Sequence, residues 1–260
     1  MGEIKEGMQE RNLSALVRNK GFQFTDVFFP YTSGQIGPYY VQSVVVENDG
    51  EDYKTAIKSI CQIVKYIGAK PFDAISGGES RDWDFSNPVA YELAKPHAKI
   101  YKDGKIMGAE IKGKTVLHVA DLNNEGSSPR DLWVPAIKKA GGTIKRIIFY
   151  VDRLEDGVGV MKELGLESHA VVPLDAHAWD YLLKQGVVTK EIYSSLMKRM
   201  ENKDAWATDM LRSPKGLEKL AEMLNNPKEE KKAMNILDIG YPDLKNELAD
   251  KLKAYEVDCI

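Results

Sequence analysis

Apolar positions along the chain switch between helical and strand spacing. Tyr53, Ala56, Ile57, Ile60, Val64 and Ile67 recur every three or four residues, which predicts an amphipathic helix closed by Gly68 as C-cap. Phe72 to Ser76 is a short apolar run before Gly77-Gly78, the pattern of a buried strand and a loop. A helix is expected from about Asn87 to Ala94, with Pro88 in its first turn. Ala98 to Tyr101, Thr115 to Ala120, Ile144 to Val151 and Ala170 to Pro173 are further runs of strand length. Leu132 to Ala140 has helical spacing and ends at Gly141-Gly142. Strands alternating with helices predict an α/β fold, a parallel sheet with helices on both faces.

From about residue 190 the strands stop. Three apolar stripes follow at helical spacing: Ile192, Tyr193, Leu196, Met197 and Met200; Leu217, Leu220, Ala221 and Leu224; Leu244, Leu248, Leu252 and Tyr255. Asn225 to Lys232, charged and holding Pro227, reads as a solvated loop between them. Residues 201–260 are thus expected to form a helical extension whose role, packing, oligomerisation or lid, the pattern leaves open. Near the other end, Phe22 to Tyr40 is dense in aromatics, and Ser33-Gly34 and Gly37-Pro38 mark turns. This segment, within a region of about residues 10–45, reads either as a hood over a planar ligand or as the edge of a core.

Composition narrows the function classes. Of 260 residues 43% are apolar, ample for a core, and the net charge of −3 argues against nucleic acid as a partner. No apolar run has the length of a membrane span and no secretory apolar region opens the sequence. Cys61 and Cys259 fit neither a metal nor a disulfide spacing, so a reducing, cytoplasmic setting is expected. His97, His118, His169 and His177 show no metal spacing; His118 falls inside a strand and reads as a core or site-edge residue. Asp175 before Ala176-His177 reads as a helix cap. Gly108 to Thr115 matches the letters of a phosphate-binding Walker loop, but it precedes a strand, where the mechanism needs it to follow one and open a helix.

The residues with the clearest chemistry lie from Val116 to Ser128. An apolar strand ends in Asp121, and Asn124, Glu125, Gly126, Ser127 and Ser128 form a small polar loop before a helix. Such a loop can turn backbone amides and hydroxyls toward a phosphate, favoured also by the positive end of the helix dipole. Asp121 is placed to take ribose hydroxyls or a metal bound to them. A second loop, Ser76, Gly77, Gly78, Glu79, Ser80 and Arg81, follows another strand, and Arg81 suits phosphate oxygens. Ligands of open α/β sheets bind beyond the carboxyl ends of strands, so the two loops could hold two ends of one ligand. Their alternative is an ordinary turn with Arg81 paired to Asp82 or Asp84.

The strand, acid and phosphate loop resemble the 5-phosphoribosyl 1-diphosphate (PRPP) motif of type I phosphoribosyltransferases. Over about residues 10 to 200 the chain is similar to the orotate phosphoribosyltransferases in particular. Ser33, Gly34, Pro38 and Tyr39 match that family's amino-terminal turn, and Asp152-Arg153 matches its Asp-Arg after a long strand. The resemblance implies a type I phosphoribosyltransferase domain over residues 1–200 and a homodimer. It implies Mg²⁺-dependent transfer between PRPP and a pyrimidine-like base, orotate foremost. Asp121 and Asn124 to Ser128 would hold ribose 5-phosphate and the metal, and Ser76 to Arg81 the pyrophosphate. Lys102 or Lys105 would neutralise it; Ser33, Gly34, Tyr39 and Arg153 would meet the base. The chain departs from the family in three places: Ala120 replaces the motif's first acid, Thr32 replaces a lysine, and Tyr101 to Gly108 is a short substitute for a long cationic loop. Those departures give the alternative of a sensor that binds PRPP or a nucleotide without turning it over.

Overall fold

The computed structural model describes residues 2–67 and 71–255; Gly68 and Cys259 lie outside them. The chain runs through α1 (Gly2–Arg18), β1 (Phe22–Pro30), β2 (Ile36–Val41), α2 (Gly50–Tyr66), β3 (Ala74–Gly78) and α3 (Asp82–Glu92). It continues through β4 (His97–Ile100), β5 (Ile106–Gly108), β6 (Thr115–Asn123), α4 (Val134–Lys139), β7 (Thr143–Asp152), α5 (Asp156–Glu163), β8 (Glu167–Pro173) and α6 (Ala176–Lys184). Five helices close it: α7 (Lys190–Glu201), α8 (Lys203–Arg212), α9 (Pro214–Leu224), α10 (Glu230–Asn235) and α11 (Lys245–Leu252). They form two compact units, Met1–Gly21 with Gln42–Tyr181, and Phe22–Val41 with Leu182–Ile260.

The first unit is built on a six-stranded sheet of order β5-β4-β3-β6-β7-β8, parallel except for the β4–β5 hairpin. Alternation along the strands feeds both faces. Val116, Ala120, Ile147 and Phe149 pack with Trp133, Ile137 and Val160 on one side. On the other, Tyr150 stacks on Phe85 of α3 at 4.8 Å. Ala56, Ile57, Ile60 and Val64 of the α2 stripe are buried as their spacing predicts, and Asp49 caps that helix by accepting from the amides of Glu51 and Asp52. Asp175 caps α6 through the amide of Ala178. Cys61 is a buried free thiol, its pKa pushed up to about 11 by burial.

Helix α3 corrects the sequence reading. It runs from Asp82 to Glu92, starting five residues before the expected Asn87, and Pro88 sits inside it. A proline there leaves the carbonyl of Asp84 without its helical donor. The hydroxyl of Tyr53, from α2, donates to that carbonyl instead. A cross-helix bond of this kind leaves no mark on local periodicity. Helix α1 is likewise absent from the sequence reading; Met8, Leu13, Ala15 and Leu16 are buried along it.

The second unit joins what the sequence reading held apart. Strands β1 and β2 form an antiparallel pair, and Phe28 and Ile36 from them share one core with Trp206, Leu211, Leu220, Leu237 and Leu248. The buried Arg199 donates Nη1 to the carbonyl of Ile36 at 2.7 Å, and the Tyr241 hydroxyl donates to Gln35 at 3.0 Å. Helix α10 takes up the end of the stretch expected to be a loop. Among the described residues no helix is long and apolar enough to cross a membrane.

Candidate active site

The carboxyl ends of β3 and β6 open on a cavity of about 310 Å³ lined by Glu79, Ser80, Arg81, Asp82, Lys102, Asp121, Leu122, Ser128, Leu132 and Trp133. Residues from both loops singled out in the sequence therefore meet in one concavity. Asp121 is the last residue but two of β6; its Oδ2 accepts from the Ser43 hydroxyl at 2.9 Å and lies 3.9 Å from Arg81 Nη1. Burial, and then the neighbouring Asp82, push the Asp121 carboxyl well above the usual carboxylate range. Asp82 is raised too, chiefly by burial, while the amides it accepts from pull it the other way.

Asp82 organises the floor. Its Oδ1 accepts from the Asp121 amide and its Oδ2 from the Gly78 amide, both at 2.9 Å. Behind it, His118 Nε2 lies 3.7 Å from Asp82 Oδ2, and the imidazole stacks on Trp133 at 4.2 Å. Burial holds the fully enclosed His118 neutral, its pKa down to about 3. The Glu79 carboxylate accepts from the backbone amide of Lys102 at 2.9 Å, which draws the β4–β5 hairpin to the loop. That hairpin turns at Asp103-Gly104, with Gly104 at φ +80°.

Other expected site residues fall elsewhere. Ser76, Gly77 and Gly78 are buried parts of β3, not loop. The Ser76 hydroxyl is bonded to His118 Nδ1 at 2.9 Å, and the Gly77 carbonyl accepts from the Trp83 indole at 2.9 Å. A Cβ on Gly78 would meet Trp133 Nε1 at 2.2 Å. Only Glu79, Ser80 and Arg81 of that stretch reach the cavity. Arg81 faces Asp121, with no ion pair to Asp82 or Asp84. Lys102 lines the cavity; Lys105 is exposed on the hairpin and does not.

The loop after β6 is shaped by its neighbours at the end of β7. Asn123 Nδ2 donates to both oxygens of Asp152 at 3.2 Å, and the carbonyl of Asn124 accepts from the Gly157 amide at 2.9 Å. Gly126 takes φ +72° against Val160, where a Cβ would come within 2.7 Å of the valine. Ser127 and Ser128 then stand exposed at the start of a helical run through the turn Pro129–Trp133 into α4. Asn124 and Glu125 are half-buried. Arg153 is buried, with Nη1 donating to Asn124 Oδ1 at 3.3 Å, so it braces the loop after β6. Ser33, Gly34 and Tyr39 belong to the second unit. Tyr39 is buried there, and Gly34 at φ +86° abuts the backbone of Asn235 and Gly240.

Ser43, Asp82, Leu132 and Trp133 were not foreseen as site residues. Only Asp82 carried a signal, an acid directly after the loop arginine, and it was read as that arginine's ion-pair partner. The Walker-like stretch Gly108 to Thr115 leads from β5 into β6 and opens no helix.

Comparison with known proteins places this geometry. No family model matches the chain. The orotate phosphoribosyltransferase of Sulfolobus acidocaldarius is 27% identical over 168 residues, which cover 62% of this chain and 83% of the relative. Among solved structures, the UMP synthase of Leishmania donovani superposes with a TM-score of 0.66 at 19% identity. That match covers 74% of this chain and 42% of the Leishmania chain, less than half its length. Orotate phosphoribosyltransferase from Aeropyrum pernix gives a TM-score of 0.58 at 20% identity, over 67% of this chain and 99% of its own. The chain has the type I phosphoribosyltransferase fold, and its sequence resembles the orotate phosphoribosyltransferases.

Proposed function

We propose that this chain is a phosphoribosyltransferase that moves ribose 5-phosphate between PRPP and a pyrimidine-like base, with orotate as the first acceptor to consider. The observation that carries the reading is the single cavity that joins Arg81 and Lys102, Asp121 and Ser128 at the carboxyl ends of β3 and β6. The lining brings together two cationic side chains, the Asp121 carboxyl group and Ser128, the last residue of the loop after β6. That set of groups suits pyrophosphate, ribose and 5′-phosphate of one ligand.

The reaction breaks the bond between ribose C1 and the pyrophosphate oxygen while a base nitrogen bonds to C1. Positive charge grows on the sugar and negative charge on the departing pyrophosphate, so most of the work is positioning and charge neutralisation. Arg81 and Lys102 take the leaving group. Asp121 orients the ribose hydroxyls, with Ser43 fixing its Oδ2. Asn124 to Ser128 hold the 5′-phosphate, with Arg153 bracing that loop from beneath.

Mg²⁺ fits these donors. Among the described residues no three His, Cys, Asp or Glu side chains cluster as a ligand cage; of the acids that line the cavity, Asp82 accepts from the Gly78 and Asp121 amides and Glu79 from the Lys102 amide, and Asp121 is the one bonded to a side-chain hydroxyl. Mg²⁺ characteristically binds through one or two carboxylates together with water and phosphate oxygens. Bound there, it would supply charge neutralisation to the pyrophosphate.

The test is loss of orotate absorbance by the purified protein with PRPP and Mg²⁺, with Asp121→Asn in parallel. PRPP-dependent loss that falls at least about tenfold in the variant is expected. PRPP binding without loss of orotate or other pyrimidines would favour the sensor instead, and the departures at Ala120, Thr32 and the short hairpin would then be its cause.

A further inference from the structure

We infer that Asp82 is a positioning residue that fastens the pyrophosphate loop to the strand end carrying Asp121, so that both ends of the ligand are gripped by one rigid frame. The inference rests on the transfer reading above for its function, and on the hydrogen bonds of the Asp82 carboxylate for the fastening.

Strands β3 and β6 pair in register from Ala74–Val116 to Ser76–His118, and there the ladder stops. Past that point the two strands part, β3 staying paired with β4 to Gly78 and β6 with β7 to Asn123, before the two loops begin. The amides of Gly78 and Asp121 stand beyond the last rung, and buried amides left without acceptors are costly. The Asp82 carboxylate enters this fork from the first turn of α3 and takes both, one on each oxygen at 2.9 Å. It acts as an extra rung made by a side chain.

The chemistry of the rung is specific. An ionised carboxylate is an acceptor at both oxygens, so it can serve two converging N–H groups. An amide side chain of the same shape has one acceptor and one donor, and its NH₂ would face an N–H. A longer acid has no room, because Asp82 is only 5% exposed and Trp133 crowds the same corner. Asp82 also lines the cavity, so the fastening lies directly under the ligand. A rigid frame matters because transfer depends on holding C1 and the pyrophosphate in a fixed relation, and small misplacements are costly in rate.

The test combines amide exchange with kinetics. In Asp82→Asn, exchange at the Gly78 and Asp121 amides should accelerate at least tenfold, while Ile75 and Val119 inside the strands keep wild-type rates. Turnover should fall at least tenfold in kcat with KM for PRPP within about threefold, the split expected when geometry rather than binding is lost. Should the variant fail to fold, scalar couplings across hydrogen bonds from both amides to the Asp82 carboxyl carbon can be sought in the wild type. Seeing both couplings supports the rung; finding neither overturns it. Unchanged amide exchange overturns the fastening, and loosened amides with unchanged kcat overturn its role in positioning. A wild type without transferase activity would instead overturn the transfer reading, and the exchange data would still decide the fastening.

Discussion

At the scale of single residues the site depends on groups whose charge is set by burial. His118 is the clearest. It is enclosed between Trp133 and Ser76 and stays neutral down to about pH 3. In the unfolded chain an imidazole takes a proton near pH 6.5. Its folded pKa is depressed, so on lowering pH the unfolded state binds the extra proton first. Stability from this group is complete above pH 6.5 and is lost as pH falls toward 3. Between pH 7 and pH 5 the loss amounts to about 2 kcal/mol. His118→Phe should remove that part of the slope, measured by urea denaturation at the two pH values. An unchanged slope would mean that His118 does not titrate in this way. Asp121 carries a prediction of another kind, the tenfold loss in Asp121→Asn, because its carboxyl group is the one proposed to orient the ribose hydroxyls in the cavity.

At the scale of elements, helix α3 shows how a local rule is overridden. Pro88 inside the helix is tolerated because Tyr53 supplies a donor to the carbonyl of Asp84. Tyr53→Phe should therefore cost about 1 kcal/mol, and the loss should appear as faster exchange in the first turns of α3. No change in either would show that the carbonyl finds water instead. The same helix marks the limit of what the sequence discloses. The strand Thr115 to Ala120, the acid at 121 and the polar loop up to Ser128 were legible because strand, turn and helix start each have a local signature. Asp82 was not, since its partners are amides at positions 78 and 121, and the second of these is remote in the chain. Arg153 was marked as a residue of the site, yet its burial under Asn124 follows from how β6 and β7 end side by side. Gly77-Gly78 read as loop because paired glycines favour turns, whereas β3 runs on through Gly78, with the Gly77 carbonyl taken by the Trp83 indole.

At the scale of the whole molecule, the apolar stripes of the tail were visible but their partner was not. Periodicity shows that a helix has a face to bury; it does not say against what. Here the answer is the β1–β2 pair, far away in sequence, which contributes Phe28 and Ile36 to the tail's core. Leu220 is fully buried at the centre of that core. Leu220→Ala should destabilise the second unit by about 2–5 kcal/mol, read from faster exchange of the α8 and α9 amides. A cost below about 1 kcal/mol would show that the core closes over the lost volume. The two units thus divide the expected site residues, with the phosphate and ribose groups in the first and Ser33, Gly34 and Tyr39 in the second.

The measurement that bears most directly on the account is a crystal structure of the protein grown with PRPP and Mg²⁺. Pyrophosphate is expected against Glu79 to Arg81 and Lys102, ribose hydroxyls at Asp121, and the 5′-phosphate on the loop from Asn124 to Ser128. PRPP ordered at any other place, or a cavity without it at a concentration that saturates the protein in solution, would contradict it.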